Sequence, residues 1–450
     1  MNKYNTHTQF LDIWISKIPA HWQAHKMKHL FSERSEKGYP NEPLLVASQN
    51  MGVVPKNVYG NRTVEAQKDL HLLKLVRVGD FVISLRSFQG GLEYAYYQGI
   101  ISTAYTILIP HEPMSGSYFR YLAKSKPFIG LLTLCVTGIR EGQNIDYAKL
   151  KNHLLPVPPR EEQDQIVRFL DWKVSSINKL IRIRKRQIEE LEAIKRSSIG
   201  YLVMGQAQSI PQRDTEVNWV KTIPAHWNEK TLIQVAEEQQ IKNAGMVEDN
   251  LLSLSYGKII NKDINTTDGL LPSSFEGYQI VHDGNIILRL TDLQNDHKSL
   301  RTGLVTQTGI ITSAYTCLKV RHNILPEYLQ LQLHVADLCK VFYGMGGGVR
   351  QSIGFTEIRK LVIAIPPVEE QQYILDRVHG IEKPINCAIQ NIRDIIAGLE
   401  DLKTRLISDA VTGKIDVRGI EIPEYEFVDE DNDNVDENLE QGADEPPEEE

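Results

Sequence analysis

Few side chains can read the edge of a base pair. Arginine presents a fork of N–H donors that suits guanine. Asparagine and glutamine set a donor beside an acceptor, which suits adenine. Two polar stretches of this 450-residue chain gather such groups directly behind an apolar run. One is "RSFQGGLEYAYY" (Arg86 to Tyr97), after "DFVISL". The other is "RLTDLQNDHKSLR" (Arg289 to Arg301), closing the run "NIILRL". Candidates for base contact are Arg86, Ser87 and Gln89 in the first, and Arg289, Thr291, Asp292, Gln294 and Asn295 in the second. Lys298 and Arg301 suit phosphate contact, which positions a protein on a duplex without reading it. Taken singly, each of these residues also fits a solvated loop. What gives the two stretches weight is that they occupy matching places in a duplicated chain.

The duplication is written plainly. "IPAHW" runs from Ile18 to Trp22 and again from Ile223 to Trp227, with Trp14 and Trp219 each four residues ahead. "GIISTAYTILI" from Gly99 answers "GIITSAYTCLK" from Gly309, and "LPVPPREEQDQIV" from Leu155 answers "IAIPPVEEQQYIL" from Ile363. The offsets of 205, 210 and 208 keep one order. They mark two copies of a whole domain with its appendage, because solenoid repeats have periods of about 20–50 residues. Each copy holds β-type runs broken by turn residues, such as Asp80–Leu85, Thr103–Ile109, Asn285–Leu290 and Ser313–Val320, between helical pieces such as Gly116–Ser125 and Leu325–Lys340. That pattern predicts an α+β domain. His21 and His226, inside the repeated motif, read as packing or hydrogen-bonding residues rather than ligands.

Each copy closes on a double proline with carboxylates behind it, Pro158-Pro159 and Pro366-Pro367, which are helix-start signals. Apolar residues then recur at 4-3 spacing. In the distal copy they are Ile374, Val378, Ile381, Ile385, Ala388, Ile392, Ile395, Leu399, Leu402 and Leu406. In the central copy seven of the ten matching positions, from Val167 to Ser198, are apolar, and Arg184 is one of the exceptions. A sustained 3.5-residue period predicts a coiled-coil seam. A helix from Glu161 to Met204 would be roughly 66 Å long. Pro384 is expected to kink the distal helix or to start a fresh segment after Gly380. Two such helices in one chain can cover each other's seams. If they run antiparallel, a direct repeat in sequence becomes an approximate dyad in space. "RIRKR" (Arg182 to Arg186) lies on the central helix, as a solvated face or as a contact for a partner or a DNA backbone.

Composition narrows the function classes. The net charge of −8 hides a split. From Glu421 to Glu450 there are 15 acidic residues and no Lys or Arg, which leaves 50 basic and 43 acidic residues in the first 420. A mildly basic body permits nucleic-acid binding. The acidic tail is too poor in apolar groups to offset ordering entropy, so it reads as disordered. It serves either as a solubiliser or as a mimic of phosphate charge. Cys135, Cys317, Cys339 and Cys387 show no paired spacing and fit a reducing cytoplasm. No signal peptide or membrane span is expected.

The doubled pattern W-x3-IPxHW, globe, IPxPPxxEQ and long helix, with "VTGKIDVR" (Val411 to Arg418) at the end, resembles the specificity subunit of type I restriction-modification systems over about residues 10 to 418. The resemblance implies target recognition domains at 1–157 and 206–365, coiled-coil helices at 158–205 and 366–418, and a disordered tail at 419–450. The fold would be α+β, two tandem recognition domains joined by two long antiparallel helices with pseudo-two-fold symmetry. The implied partners are double-stranded DNA, two modification subunits and, through these, restriction subunits. The chain itself would be non-catalytic and without a cofactor. S-adenosylmethionine would enter with the modification subunits, ATP and Mg²⁺ with the restriction subunits. "GGGVRQSI" (Gly346 to Ile353) is close to the family form, which makes Arg350 and Gln351 candidates for a DNA-facing loop. The first copy has "GIREGQNI", where Gln143 aligns with Gln351 and Arg140 is displaced by two positions.

A self-contained methyltransferase or nuclease is the competing class. The chain has no Asn-Pro-Pro-aromatic motif, since its double prolines follow Val157 and Ile365. It has no GxxxxGK[ST] loop and no HExxH. "GMGGGV" (Gly344 to Val349) reads as a flexible turn.

Overall fold

The computed structural model describes residues 3–59, 69–85, 87–137, 144–207, 210–264, 274–293, 296, 299–321, 323–345 and 352–429. The chain forms two compact units. The first comprises Met1–Arg186 with Ile392–Asp436, and the second is built on Gln187–Asn391. Each unit therefore takes the front of one long helix and the rear of the other. No helix among the described residues is long and apolar enough to cross a membrane.

The first unit is built on a four-stranded antiparallel sheet in the order Phe31–Arg34, Thr106–Pro110, Phe81–Ile83, Glu93–Tyr94. Helices Gly116–Leu122 and Lys126–Leu134 accompany it. The core between them is aromatic, with Phe31, Phe81, Phe119 and Phe128 all buried. Phe31 meets Phe119 at 4.5 Å and Phe81 meets Phe119 at 4.8 Å between ring centroids.

The second unit repeats this sheet as Ala236–Glu238, Thr316–Val320, Ile286–Leu288, Thr302–Leu304. Its packing helix is a single Pro326–Leu338. The core here is richer in aliphatic residues, with Ile286, Leu288, Leu318, Leu329 and Leu333 packed beside Trp227, Tyr328 and Phe342. The central strands "FVI" and "IIL" are buried at every position, as a continuous apolar run requires.

The long helices are Arg160–Val203 and Val368–Val411. The second runs through Pro384 without restarting. In the first unit Lys403 Nζ donates to Asn178 Oδ1 at 3.5 Å. In the second Lys195 Nζ donates to Asn386 Oδ1 at 3.1 Å. Residue numbers rise on one helix as they fall on the other, which is antiparallel pairing. The covered stripe departs from the expected seam at two places. Ile395 and Leu402 are 44% and 40% exposed, while Ile396 and Lys403 beside them are half-buried. A stripe followed at 3.6 residues per turn drifts off a strict 3.5 repeat, and here it moves by one position.

Why "IPAHW" is written twice becomes clear at the helix ends. In the first unit Glu162, in the first turn of its helix, accepts from Trp22 Nε1 (3.0 Å), His21 Nε2 (2.7 Å) and Tyr4 Oη (2.5 Å). The second helix ends in the same place. Tyr118 Oη caps the Val411 carbonyl at 2.8 Å, and Gly413, at φ +73°, lies against Pro19 and Trp22. The second unit does the same in other letters. Glu370 accepts from His226 at 2.8 Å, Tyr328 Oη caps the Val203 carbonyl at 3.2 Å, and Gly205, at φ +67°, lies against Pro224 and Trp227. Each motif is thus a socket for two helix ends, the start of one helix and the finish of the other. The glutamine of PPxxEQ completes the socket. Gln163 accepts from Ser115 N and donates to the carbonyls of Pro113 and Pro158, and Gln371 accepts from Leu325 N and donates to those of Asn323 and Pro366.

Candidate nucleic-acid interface

Both polar stretches are the connection between the central strand of a four-stranded sheet and its edge strand. In the first unit that is the path from Phe81–Ile83 to Glu93–Tyr94, and in the second from Ile286–Leu288 to Thr302–Leu304. The expected correspondence of place therefore holds. A rigid strand pair anchors both ends of a loop that is free to differ in sequence, which is the usual arrangement for recognition.

The sheet also brings up a second element. In the first unit the hairpin Leu45–Ser48/Gly52–Pro55 sets its tip beside the polar stretch. A Cβ on Gly90 would meet the side chain of Gln49, and Lys124 Nζ donates to the Gln49 carbonyl at 3.0 Å. In the second unit the hairpin Leu252–Ser255/Lys258–Asn261 does the same, with Gly257 against Leu300. The tips carry Gln49 and Asn50 in one unit and Tyr256 and Lys258 in the other. Tyr256 is 69% exposed. Sequence reasoning passed over both tips. Their strands are four residues long, and "SQNMG" and "SYGK" carry only an ordinary turn signal.

The proposed contact residues divide by environment. Gln89 is exposed on the short helix Ser87–Gly90. Ser87 is fully buried, its hydroxyl accepting from Ser84 N at 2.8 Å, so it shapes the turn rather than facing outward. Thr291 and Asp292 are half-buried, and Asp292 holds φ +54°. Arg289 is half-buried, with Asp296 at 4.0 Å. Arg86, Arg140, Gln143, Gln294, Asn295, Lys298, Arg350 and Gln351 lie outside the described residues.

Arg301 corrects the sequence reading. Expected on phosphates, it is 0% exposed. Its guanidinium donates to the Thr291 carbonyl at 2.6 Å and to the Asp296 carbonyl, with the Tyr343 ring 5.5 Å away. Its backbone N–H donates to Asp337 Oδ2 at 2.7 Å. Five donors in a rigid fork suit a buried clamp on main-chain oxygens as well as they suit a phosphate. Arg301 fixes the loop that presents Thr291 and Asp292. Burial pushes the Asp337 carboxyl up to about 6, against the pull of the Arg301 N–H and guanidinium. Its Oδ1 has no partner among the described residues.

The first unit fixes its loop differently. Lys124 Nζ meets both oxygens of the buried Glu93 at 2.9 and 2.8 Å while holding the Gln49 carbonyl. Burial pushes Glu93 up to about 7, with Lys124 opposing it. Beside it Tyr94 and Tyr96 stack edge to face at 5.0 Å, and Tyr96 and Tyr97 are about half exposed (46% and 45%). The first interface is thus aromatic and amide-bearing, and the second is built round a clamped acidic turn.

Comparison with known proteins agrees with this geometry. Residues 302–396 match the family model of the type I restriction modification DNA specificity domain. That span runs from the edge strand of the second unit into the second long helix. The whole chain is similar to type I restriction enzyme specificity subunits. One is described as the MjaX specificity subunit of Methanocaldococcus jannaschii, 22% identical over 428 residues, covering 90% of this chain and 96% of that one. Another is the MjaIX specificity subunit of the same organism, 22% identical over 454 residues, covering 93% and 99%. Among solved structures, a chain from work on complex assembly and conformational transition of the type I R-M system has a TM-score of 0.60 at 14% identity, covering 89% of this chain and 100% of that one. That structure's fold is similar to that of this chain, and the sequence likeness to the specificity subunits runs along nearly the whole length.

Proposed function

We propose that this chain is the DNA specificity subunit of a type I restriction-modification complex, reading a bipartite, asymmetric target with one unit for each half. The observation that carries this is one frame built twice with different loops. The sheets, sockets and helix caps match pair for pair, while "RSFQGGLEYAYY" and "RLTDLQNDHKSLR" share almost nothing. A symmetric duplex reader would repeat its loops together with its frame. In the first unit the base-reading set is Arg86 and Gln89 with the tip residues Gln49 and Asn50. In the second it is Arg289, Thr291, Asp292, Gln294 and Asn295 with Tyr256. Lys298 falls to phosphate, and Arg140, Gln143, Arg350 and Gln351 to a loop at the foot of each unit.

The chain works without a catalytic centre of its own. It docks two methyltransferase subunits, which bring S-adenosylmethionine, and through them restriction subunits with ATP and Mg²⁺. Docking draws on the uncovered apolar residues of the long helices. Leu180 and Ile183 are 47% exposed, and Ile395 and Leu402 scarcely less, which is costly for a rod left in water. The test is to co-express the chain with candidate methyltransferase and restriction subunits and to map methylated bases in the host DNA. A split motif with unlike halves is expected. Methylation at a contiguous site, or by the chain alone, would overturn the reading.

A further inference from the structure

In the first unit the long helix Arg160–Val203 reaches the candidate interface through one arginine. Asp171 on that helix is half-buried against the packing helix Gly116–Leu122. Its Oδ1 accepts from Arg120 Nη2 at 2.8 Å and from Tyr121 Oη at 2.6 Å. The Arg120 guanidinium also lies 4.9 Å from the centroid of the Tyr121 ring. Burial pulls this guanidinium down, and the oxygens of Tyr121, Tyr96 and Asp171 beside it more than offset that, holding it above its ordinary value. Tyr96 belongs to the polar stretch behind the central strand. Asp171, Arg120 and Tyr96 thus form a relay from the helix to the reading stretch.

Tyr96 is held on two sides. Its ring stands edge to face with Tyr94 at 5.0 Å. It also abuts Gly52, at φ +73°, where a Cβ would meet Tyr96 Cε2 at 2.9 Å and the Tyr94 carbonyl oxygen at 2.7 Å. So closely seated, the ring is still 46% exposed, and the Arg120 side chain keeps 28% of its surface open. A phenol O–H beside a guanidinium, next to the hairpin that carries Gln49 and Asn50, suits a phosphate oxygen. The second unit lacks this pairing. Ala95 N donates to the Asp80 carbonyl at 2.9 Å and Val305 N to the Asn285 carbonyl at 2.8 Å, which aligns Tyr96 with Thr306. The caps Tyr118 and Tyr328 align Arg120 with Gln330, and the socket glutamines align Asp171 with His379. Gln330 Nε2 donates to Thr302 Oγ1 at 3.2 Å, and His379 Nε2 lies 2.7 Å from Glu327 Oε1. All three positions differ between the units, as parts of one device would.

We propose that Tyr96 and Arg120 form a phosphate seat in the first unit, and that Asp171 is the positioning residue that ties this seat to the long helix. This rests on the chain being a DNA-specificity subunit. The Tyr96 O–H and the Arg120 guanidinium donate to one backbone phosphate of the first half-site. Such a contact carries no sequence information. It sets the register of the duplex against the long helix, while the hairpin tip and the polar stretch read the bases.

The test uses the full chain in complex with its modification subunits and a duplex carrying the mapped target, over a salt series. Y96F should weaken binding on the order of tenfold and leave the log–log salt slope as it is. R120Q should weaken it on the order of tenfold and lower the slope by about 1. The two together should lose less than the product of the single losses. The methylated motif should stay the same in every variant. Duplexes with one neutral methylphosphonate in place of each phosphate in turn locate the contact. In the native complex one position of the first half-site should cost on the order of tenfold, and in R120Q that position should cost nothing further. D171N, which keeps both donors, should show the same position at a smaller cost. A native complex with no such position, or a cost that persists in R120Q, overturns the seat. An undiminished cost in D171N overturns the role of Asp171. A changed motif in Y96F overturns the phosphate assignment. Should R120Q fail to fold, Y96F, which removes one hydroxyl from a half-exposed ring, carries the same comparison. If the native complex binds no duplex in a salt-dependent way, the DNA reading falls and the seat with it.

Discussion

The two units solve one problem at different cost. Glu162 in the first is buried and takes three donors, Tyr4, His21 and Trp22. Glu370 in the second takes His226, while Trp227 Nε1 has no partner among the described residues. The loops differ in the same spirit, with a lysine–carboxylate pair under one and a buried arginine fork under the other. Features that set the course of the long helices recur at matching places with fewer bonds in the second unit, and features that face outward have diverged further. A duplicated gene under selection for two unlike targets should leave this pattern.

The largest effect should come from the shared socket. Gly413→Val and Gly205→Val each force a side chain on a left-handed glycine and into a proline ring. Each should destabilise its unit by about 3 kcal/mol or more, measured by denaturant unfolding. A mild effect at one site and a severe one at the other would break the equivalence.

Next is the clamp. Arg301→Met keeps the backbone bond to Asp337 but removes a buried fork from the Thr291 and Asp296 carbonyls and a cation from beside the Asp296 carboxylate, at a cost of about 3–5 kcal/mol. Specificity should relax at the half-site read by the second unit and stay intact at the other. Equal relaxation of both halves would show that Arg301 acts on the whole fold.

The glutamates sharpen the comparison. Glu162→Gln should cost about 2 kcal/mol through its charge-assisted bonds, and Glu370→Gln under about 1 kcal/mol. Parity between the two would mean that Tyr4 and Trp22 draw nothing from Glu162.

A further effect is in pH. Asp337 and Glu93 both sit above their ordinary values of 3.8 and 4.5, at about 6 and about 7, because burial disfavours the charge. The folded state then holds the proton more tightly than the unfolded chain. The stability this confers is complete below the unfolded value and is lost as pH rises through the folded one. Asp337→Asn should flatten the stability profile between about pH 4 and 6, and Glu93→Gln between about 4.5 and 7. Unchanged profiles would show that neither carboxyl carries the shift.

Much of this frame was legible. Five repeated letters, two double prolines and a 4-3 apolar rhythm gave the duplication, the helix starts and the pairing. The socket was not legible, because nothing in "IPAHW" says that two helix ends from distant sequence meet there. Arg301 misled for a physical reason. An arginine behind "DHKSL" looks solvated until folding brings carbonyls of its own loop round it. Residues 419–429, expected within a disordered tail, misled similarly, since Gln165, Ser175 and Asn178 hold them through the main chain of Ile420, Glu426 and Val428. Gln49 and Tyr256 were missed because four-residue strands carry too little alternation to announce a hairpin.

The central claim is that each unit reads its own half of a split site. The direct measurement is a methylation map from cells carrying the native complex and a chimera in which residues 25–150 come from another specificity subunit. The account predicts a split motif in which one half changes while the other half and the gap stay as they were. A map in which both halves change together, or neither does, would contradict it.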